Sequence, residues 1–262
     1  MSGGLVVVTS HPDDEVLIAG GTLAACACAG IDTAVVCLTR GELGPISSPS
    51  LAPRATLGRV RANELEAACH ELGVGWVRCY RRQDGNLRWA NASAIVRQLL
   101  NVLQALRPDA VVSFGADGLY YHPDHVATFG FARRAVTRMK RPAVFYRSVW
   151  PQSLMSELVQ ELRARGLPED LWDLAPEDFG VEEDGDTLTV DVRPFVDRKL
   201  RALRCHRTQL GPAHAFAALP SDLAQRFLGF ERFARVETSA DGAPRSGDGW
   251  LERAVSMGSV SA

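Results

Sequence analysis

Residues Leu5–Thr9 read LVVVT, and His11-Pro12-Asp13-Asp14-Glu15 follows after a single serine. A short β-branched apolar run that stops at a polar cluster predicts a buried strand. Outward along the chain the same signal returns in alternation with helical periodicity. A helix is expected over Val16–Ala29, a strand over Ala34–Thr39, a helix over Arg54–Leu72 closed by Gly73, and a third strand over Trp76–Tyr80. Ala92–Leu106 reads as a helix with Pro108 just beyond it, and Ala110–Phe114 as a fourth strand. Pro123–Met139 reads as a helix opened by its proline, and Ala143–Val149 as a fifth strand. Five strands alternating with helices predict a mainly parallel sheet covered on both faces, because right-handed βαβ crossovers are the common way to join such strands. The expected class is α/β, a Rossmann-like three-layer fold.

After Trp150 the alternation breaks into irregular C-terminal additions. A helix is expected over Gln152–Arg165, an acidic loop over 177–185 and an edge strand over Thr187–Val192. Helices over Asp191–Leu210 and Ser221–Phe233 follow. The Ser/Gly/Asp-rich stretch 238–262 has no periodicity and is expected to be a mobile tail on a single domain of residues 1–237.

With 262 residues, 46% hydrophobic and 23% charged, the chain can bury one large core, which excludes wholesale disorder and fibrous repeats. Twenty-nine basic and 31 acidic residues leave a net charge of −2, so no overall field favours nucleic acid. The six cysteines lie mostly in apolar runs without a CxxC pair, which argues against a zinc ribbon or disulfide scaffold and for a reducing cytoplasm. The first residues lack a basic n-region, and no apolar run nears the ~20 residues of a membrane span, so neither signal peptide nor transmembrane segment is expected. Homo-oligomerisation is left open.

Three carboxylates and an imidazole within five residues are too polar for a core. A capped helix start would account for them: proline at the first helical position and acids facing the positive end of the dipole. His122-Pro123-Asp124-His125, after the fourth strand, admits the same account. Topology favours more. In a parallel sheet both strand-to-helix loops emerge at the carboxyl edge, where open α/β sheets bind ligands. Two histidines and several aspartates meeting there form a nitrogen and oxygen donor set that suits Zn²⁺, with other divalent metals also accommodated.

HPDDE after an N-terminal strand, with HPDH more than a hundred residues on, resembles the zinc-dependent de-N-acetylases of the PIG-L/LmbE type. Weaker support comes from the Arg40-Gly41-Glu42 turn, Arg61 with Glu64, Asp84-Gly85 and His206-Arg207-Thr208-Gln209. The resemblance implies one zinc per chain on His11, Asp14 and His125, with Asp13 as general base. It implies that His122 stabilises the oxyanion or serves as acid, assisted by Tyr120, and that Arg61 and Asp84 bind substrate. The implied activity is removal of an N-acetyl group from an N-acetylglucosaminyl conjugate, a small-molecule substrate.

Amide hydrolysis asks for such groups on its own account: a nucleophile, a stabilised oxyanion and a proton for the leaving amine. Three protein ligands leave a zinc position open for water. His122 and His125, three apart at a helix start, share a face, so one can ligate while the other meets the substrate oxygen. Glu15 reads as a supporting residue, while His70 and His214 read as structural or solvated. His206 suits packing or support as well as substrate contact. Two rival readings stand beside the leading one: an amide hydrolase for thiol conjugates or longer N-acyl chains, and a non-catalytic sugar- or nucleotide-binding module. Neither a GxGxxG fingerprint nor a GxSxG elbow is present.

Overall fold

The computed structural model describes residues 3–181, 187–217, 219–238 and 250–260. Five strands appear where the alternation places them: β1 (Leu5–Thr9), β2 (Thr33–Thr39), β3 (Trp76–Arg82), β4 (Ala110–Ser113) and β5 (Val144–Val149). Between them run α1 (Asp14–Cys28), α2 (Leu57–Leu72), α3 (Ala92–Leu106), a single kinked turn α4 (Gly118–Tyr121) and α5 (Pro123–Thr137). Then follow α6 (Leu154–Ala164), β6 (Thr187–Asp191), α7 (Val196–Cys205), α8 (Ser221–Leu228), β7 (Phe230–Arg235) and α9 (Trp250–Val260). The described residues form one seven-stranded sheet in the order β3-β2-β1-β4-β5-β7-β6, with the first five strands parallel and β7 antiparallel to both neighbours.

Period-two alternation along β1 divides the core. Leu5 and Val7 join the cluster under α1, α2 and α7, whereas Val6 and Val8 join the cluster under α3 and α5. Every residue of β1 is buried, as a central parallel strand with both faces covered requires. β1 pairs with β2 on one side and β4 on the other, so chain order reverses between β1 and β4. A crevice opens at the carboxyl edge of such a reversal.

Three C-terminal expectations need correction, the first being the helix over Asp191–Leu210: Asp191 ends β6 and α7 stops at Cys205, which leaves His206–Leu210 non-helical. Ser221–Phe233 is not one helix: it ends at Leu228, and Phe230–Arg235 is the strand β7 between β5 and β6. Glu231 disguised it. This inward-facing carboxylate is buried against Lys199 Nζ at 2.6 Å and takes the N–H groups of Gly21 and Thr22 at 2.8 Å each. Those two donors lie just past a break in α1 at Ala19 (φ −155°). Gly21 lets the strand end approach, since a Cβ there would stand 2.5 Å from Val192. Residues 250–260, read from composition as aperiodic, form α9, whose Leu251, Ala254 and Val255 are buried in the cluster beneath α1. Of the expected acidic loop and tail, residues 182–185, 239–249 and 261–262 lie outside the described residues.

Candidate active site

The loop between β1 and α1 is built around two adjacent carboxylates that point apart. Asp14 Oδ2 accepts the N–H of His11 at 2.7 Å and of Ser10 at 3.2 Å, closing the loop on itself. Asp13 occupies φ 114°, a left-handed value that costs a residue with a Cβ, and its side chain makes no capping bond to α1. Its Oδ2 instead accepts from Arg61 Nη2 at 2.9 Å. Arg61 is buried on α2 and also donates to Pro12 O and Gly41 O, both at 2.7 Å. Beneath this loop Glu15 takes the Asp13 N–H at 2.9 Å and meets His206 Nε2 at 2.8 Å. Glu64 takes the Thr208 N–H and hydroxyl at 2.9 and 2.6 Å. The HRTQ segment is thus a buttress for the first loop.

The loop after β4 turns sharply through positive φ at Gly118 (58°), Leu119 (71°) and Tyr121 (59°) before α5 begins. His122 caps α5, its Nδ1 accepting the Asp124 N–H at 3.2 Å, with Pro123 at the first helical position. A neutral imidazole that accepts at Nδ1 carries its proton on Nε2. His125, fully buried, lies flat on Phe114 with ring centroids 4.0 Å apart. Its Nδ1 is 3.0 Å from Gly118 O, and since a carbonyl only accepts, Nδ1 carries a proton and the neutral form of the ring has its lone pair on Nε2.

The two loops converge across the β1/β4 reversal. His11 Nδ1 stands 3.2 Å from His125 Nε2 and 3.5 Å from Asp14 Oδ2, and His125 Nε2 stands 3.3 Å from Asp14 Oδ1. On the far side of the His11 ring, Nε2 faces Asp84 Oδ1 at 3.1 Å and Asp124 Oδ2 at 3.4 Å. Donor groups able to hold a metal include His11 with His122 and His125, and His11 with Asp84 and Asp124. In the second group the carboxylates are already engaged: Asp84 takes the Leu43 N–H, and Asp124 those of Gly85 and Leu87. Their geometry orients His11 from behind.

The electrostatics follow from this packing. Against burial, which disfavours charge, Asp124, Asp14 and Asp84 hold the His11 imidazolium well above its ordinary range. Asp14 is held well below the usual carboxylate range by His125 and His11 despite its burial. Burial also opposes ionisation of Asp84, yet the bond to His11 brings it down to about 2. Asp13 behaves oppositely: burial outweighs Arg61 and pushes it up to about 6. His122 is lowered to about 4 by burial and by the neighbouring His125 and His11.

His11, Asp13, Asp14, Arg61, Asp84, Tyr120 and His122 all line one cavity of about 310 Å³, while His125 is buried behind it. Tyr120 packs edge-on to His125 at 5.2 Å and to His122 at 5.7 Å. Arg61 reaches the cavity wall with its guanidinium engaged on Asp13 and two carbonyls, and Asp84 reaches it with one oxygen on His11. Sequence reasoning gave no role to Asp124, although it stands inside HPDH. It missed Phe114 and the lining residues Trp172 and Leu174, which no motif marks.

A crevice at a strand-order reversal, lined by paired imidazoles and carboxylates, defines an α/β protein with a polar ligand-binding crevice at the carboxyl edge of its sheet. The sequence pattern of the GlcNAc-PI de-N-acetylases, PIG-L, matches residues 6–136. The 1D-myo-inositol 2-acetamido-2-deoxy-alpha-D-glucopyranoside deacetylase of Acidothermus cellulolyticus is 32% identical, covering 92% of this chain and 91% of the relative. The chain belongs to the PIG-L family and is a hydrolytic de-N-acetylase. Its fold is shared by the N,N'-diacetylchitobiose deacetylase of Pyrococcus horikoshii (TM-score 0.62, 22% identity, 90% of this chain and 85% of that one). It is shared equally by GalB, the 4-carboxy-2-hydroxymuconate hydratase of Pseudomonas putida KT2440 (TM-score 0.62, 21% identity, 94% and 100%). Fold alone therefore does not choose the chemistry.

Proposed function

We propose that the protein removes the acetyl group of an N-acetylglucosaminyl-inositol or closely similar conjugate, using one Zn²⁺ held by His11, Asp14 and His125. The observation that carries this reading is the convergence of three side chains: His11 Nδ1 and His125 Nε2 stand 3.2 Å apart, and the Asp14 carboxylate reaches each with a different oxygen, Oδ2 at 3.5 Å from His11 and Oδ1 at 3.3 Å from His125. A tetrahedral zinc with bonds of ~2.0–2.1 Å sets its ligand atoms roughly 3.3 Å apart. Both imidazoles also have the outer nitrogen held, by Asp84 and Asp124 for His11 and by Gly118 O for His125, the arrangement that fixes a ligating tautomer. When bound, zinc supplies Lewis acidity toward water and the acetamide carbonyl.

The remaining steps fall to the chain. Asp13, turned out of its capping role and steered by Arg61, takes the proton of the attacking water and can return it to the amine. His122 presents Nε2–H to the developing oxyanion, because its other nitrogen is fixed on the Asp124 N–H. Tyr120, beside both histidines on the cavity wall, adds a hydroxyl donor, and Arg61 and Asp84 complete the wall that meets the sugar. The inositol conjugate is favoured by the names of the relatives and the cytoplasm by the cysteine pattern. No described helix is long and apolar enough to cross a membrane.

Zinc-loaded protein offered N-acetylglucosaminyl-inositol should release free amine and acetate in equal amounts, and a chelator should abolish release until zinc is restored. A protein that binds no divalent metal, or releases no amine when loaded, would sink the reading.

A further inference from the structure

One stretch of the cavity wall comes from Leu171-Trp172-Asp173-Leu174, between α6 and β6, and both Trp172 and Leu174 face the cavity. Trp172 (φ 57°) and Asp173 (φ 62°) are consecutive left-handed residues, neither a glycine. Side chains with a Cβ resist that backbone, and two in succession persist only where the surroundings impose them.

Three sets of contacts impose it here. Asp170 Oδ1 accepts the Asp173 N–H at 3.0 Å. The Asp170 backbone is bound on both sides, donating to Ala213 O at 3.2 Å and accepting from the Ala215 N–H at 2.9 Å. The indole packs on His214 (centroids 4.2 Å apart, planes tilted by 58°) and on Phe216 (6.1 Å). His214 is itself fixed, since it is 2% exposed and its Nδ1 accepts the Phe216 N–H at 3.1 Å. Burial pushes its pKa down to about 4, so it backs the indole as a neutral ring. The result is a rigid aromatic plate set before any ligand arrives, which spares the ordering cost of binding.

A plate of this kind is superfluous for the acetamide itself, which must sit among His11, Asp13 and His122. It suits the rest of a conjugate. A cyclitol or hexose ring has polar edges and C–H-rich faces, and an aromatic face beside a charged floor matches that amphipathic shape. A flexible acyl chain would gain from depth, not from one flat surface.

We propose that Trp172 determines specificity for the alcohol half of the substrate, its indole face stacking on the ring joined to the N-acetylglucosaminyl unit. This rests on the de-N-acetylase reading given above and adds the subsite that separates a two-ring conjugate from a monosaccharide.

The test compares kcat/KM for N-acetylglucosaminyl-inositol with that for N-acetylglucosamine in the zinc-loaded wild type, Trp172→Phe and Trp172→Leu. Leucine fills the wall without a flat face, so both variants keep the loop packed, which melting temperature verifies. The wild type should prefer the two-ring substrate. Trp172→Leu should lose that preference by roughly tenfold through a higher KM for the conjugate, the scale of one aromatic contact, and Trp172→Phe should keep most of it. A wild type indifferent to the second ring overturns the subsite, as does a leucine variant with the preference intact or with both substrates impaired in equal proportion. If the wild type frees no amine from either substrate, the proposed N-acetylglucosaminyl-inositol activity falls and takes the subsite with it.

Discussion

At the start of α5, His122 has an extended backbone (φ −61°, ψ 124°) and caps the helix through Nδ1. At the start of α1, Asp13 stands at φ 114° and caps nothing, although its residue type is among the best caps available. One helix start obeys the local rule and the other breaks it. The broken one releases a carboxylate from its own helix and turns it to Arg61 and the cavity. The obeyed one does not forfeit its chemistry, because an imidazole has two nitrogens, and the one used as a cap fixes the other as a donor. In the proposed mechanism Asp13 leaves its helix start to act, whereas His122 holds the start with one nitrogen and acts with the other.

The largest expected effect removes the partner both starts share. His125→Ala should lose zinc as well as turnover, since three protein ligands leave none to spare, and metal analysis beside an amine-release assay checks this. A variant that keeps stoichiometric zinc at wild-type affinity removes His125 from the ligand set. Next is Asp13→Asn, which should keep the metal and lose ~10² to 10⁴-fold in kcat. Loss of zinc in that variant would make Asp13 a ligand and erase the contrast between the starts.

His122 divides the comparison within one residue. His122→Asn retains a good cap and should keep its melting temperature while kcat falls ~10²-fold, with KM little changed. His122→Ala should show that fall together with ~1 kcal/mol of lost stability. Near-normal turnover in the asparagine variant would leave His122 a cap and nothing else. Asp124→Asn should weaken zinc binding by ~10 to 100-fold without abolishing it, measured by competition with a chromogenic chelator. Unchanged affinity would mean that Asp124 serves the Gly85–Leu87 turn and not His11.

The smallest effect lies away from both helix starts and serves as their control. His214 has a pKa of about 4 in the fold because burial disfavours its charge, against an ordinary value of 6.5. Between those values the unfolded chain binds a proton that the folded chain does not. The contribution of His214 to stability should therefore fall as pH is lowered through this window, by about 1.4 kcal/mol per pH unit at most. His214→Phe should flatten that slope in urea unfolding at pH 5 and pH 7. An identical slope would place the acid sensitivity elsewhere.

Much of this was legible in the order of residues. Leu5–Thr9 and Ala92–Leu106 occur with the bounds their patterns predict, because hydrophobic period and end signals are local. β7 was not legible: Phe-Glu-Arg-Phe-Ala-Arg shows no strand composition, and its inward glutamate is tolerable only beside Lys199 and the broken turn of α1. Trp172 was equally silent, since what makes it a wall is packing on His214, 42 positions away.

What the sequence determined by itself is the alternation of strands and helices, the two His/Asp clusters after strands, and through them the family and its chemistry. These are short-range facts, set by periodicity, capping and the donor chemistry of neighbouring side chains. Only the tertiary structure decided that β4 lies beside β1, so that residues more than a hundred positions apart meet within 3.5 Å. It alone decided that Arg61 holds Asp13, that Asp84 and Asp124 stand behind His11, and which aromatic ring closes the cavity. Strand order and long-range contact depend on how whole layers bury their apolar faces together, and no local stretch of sequence carries that information.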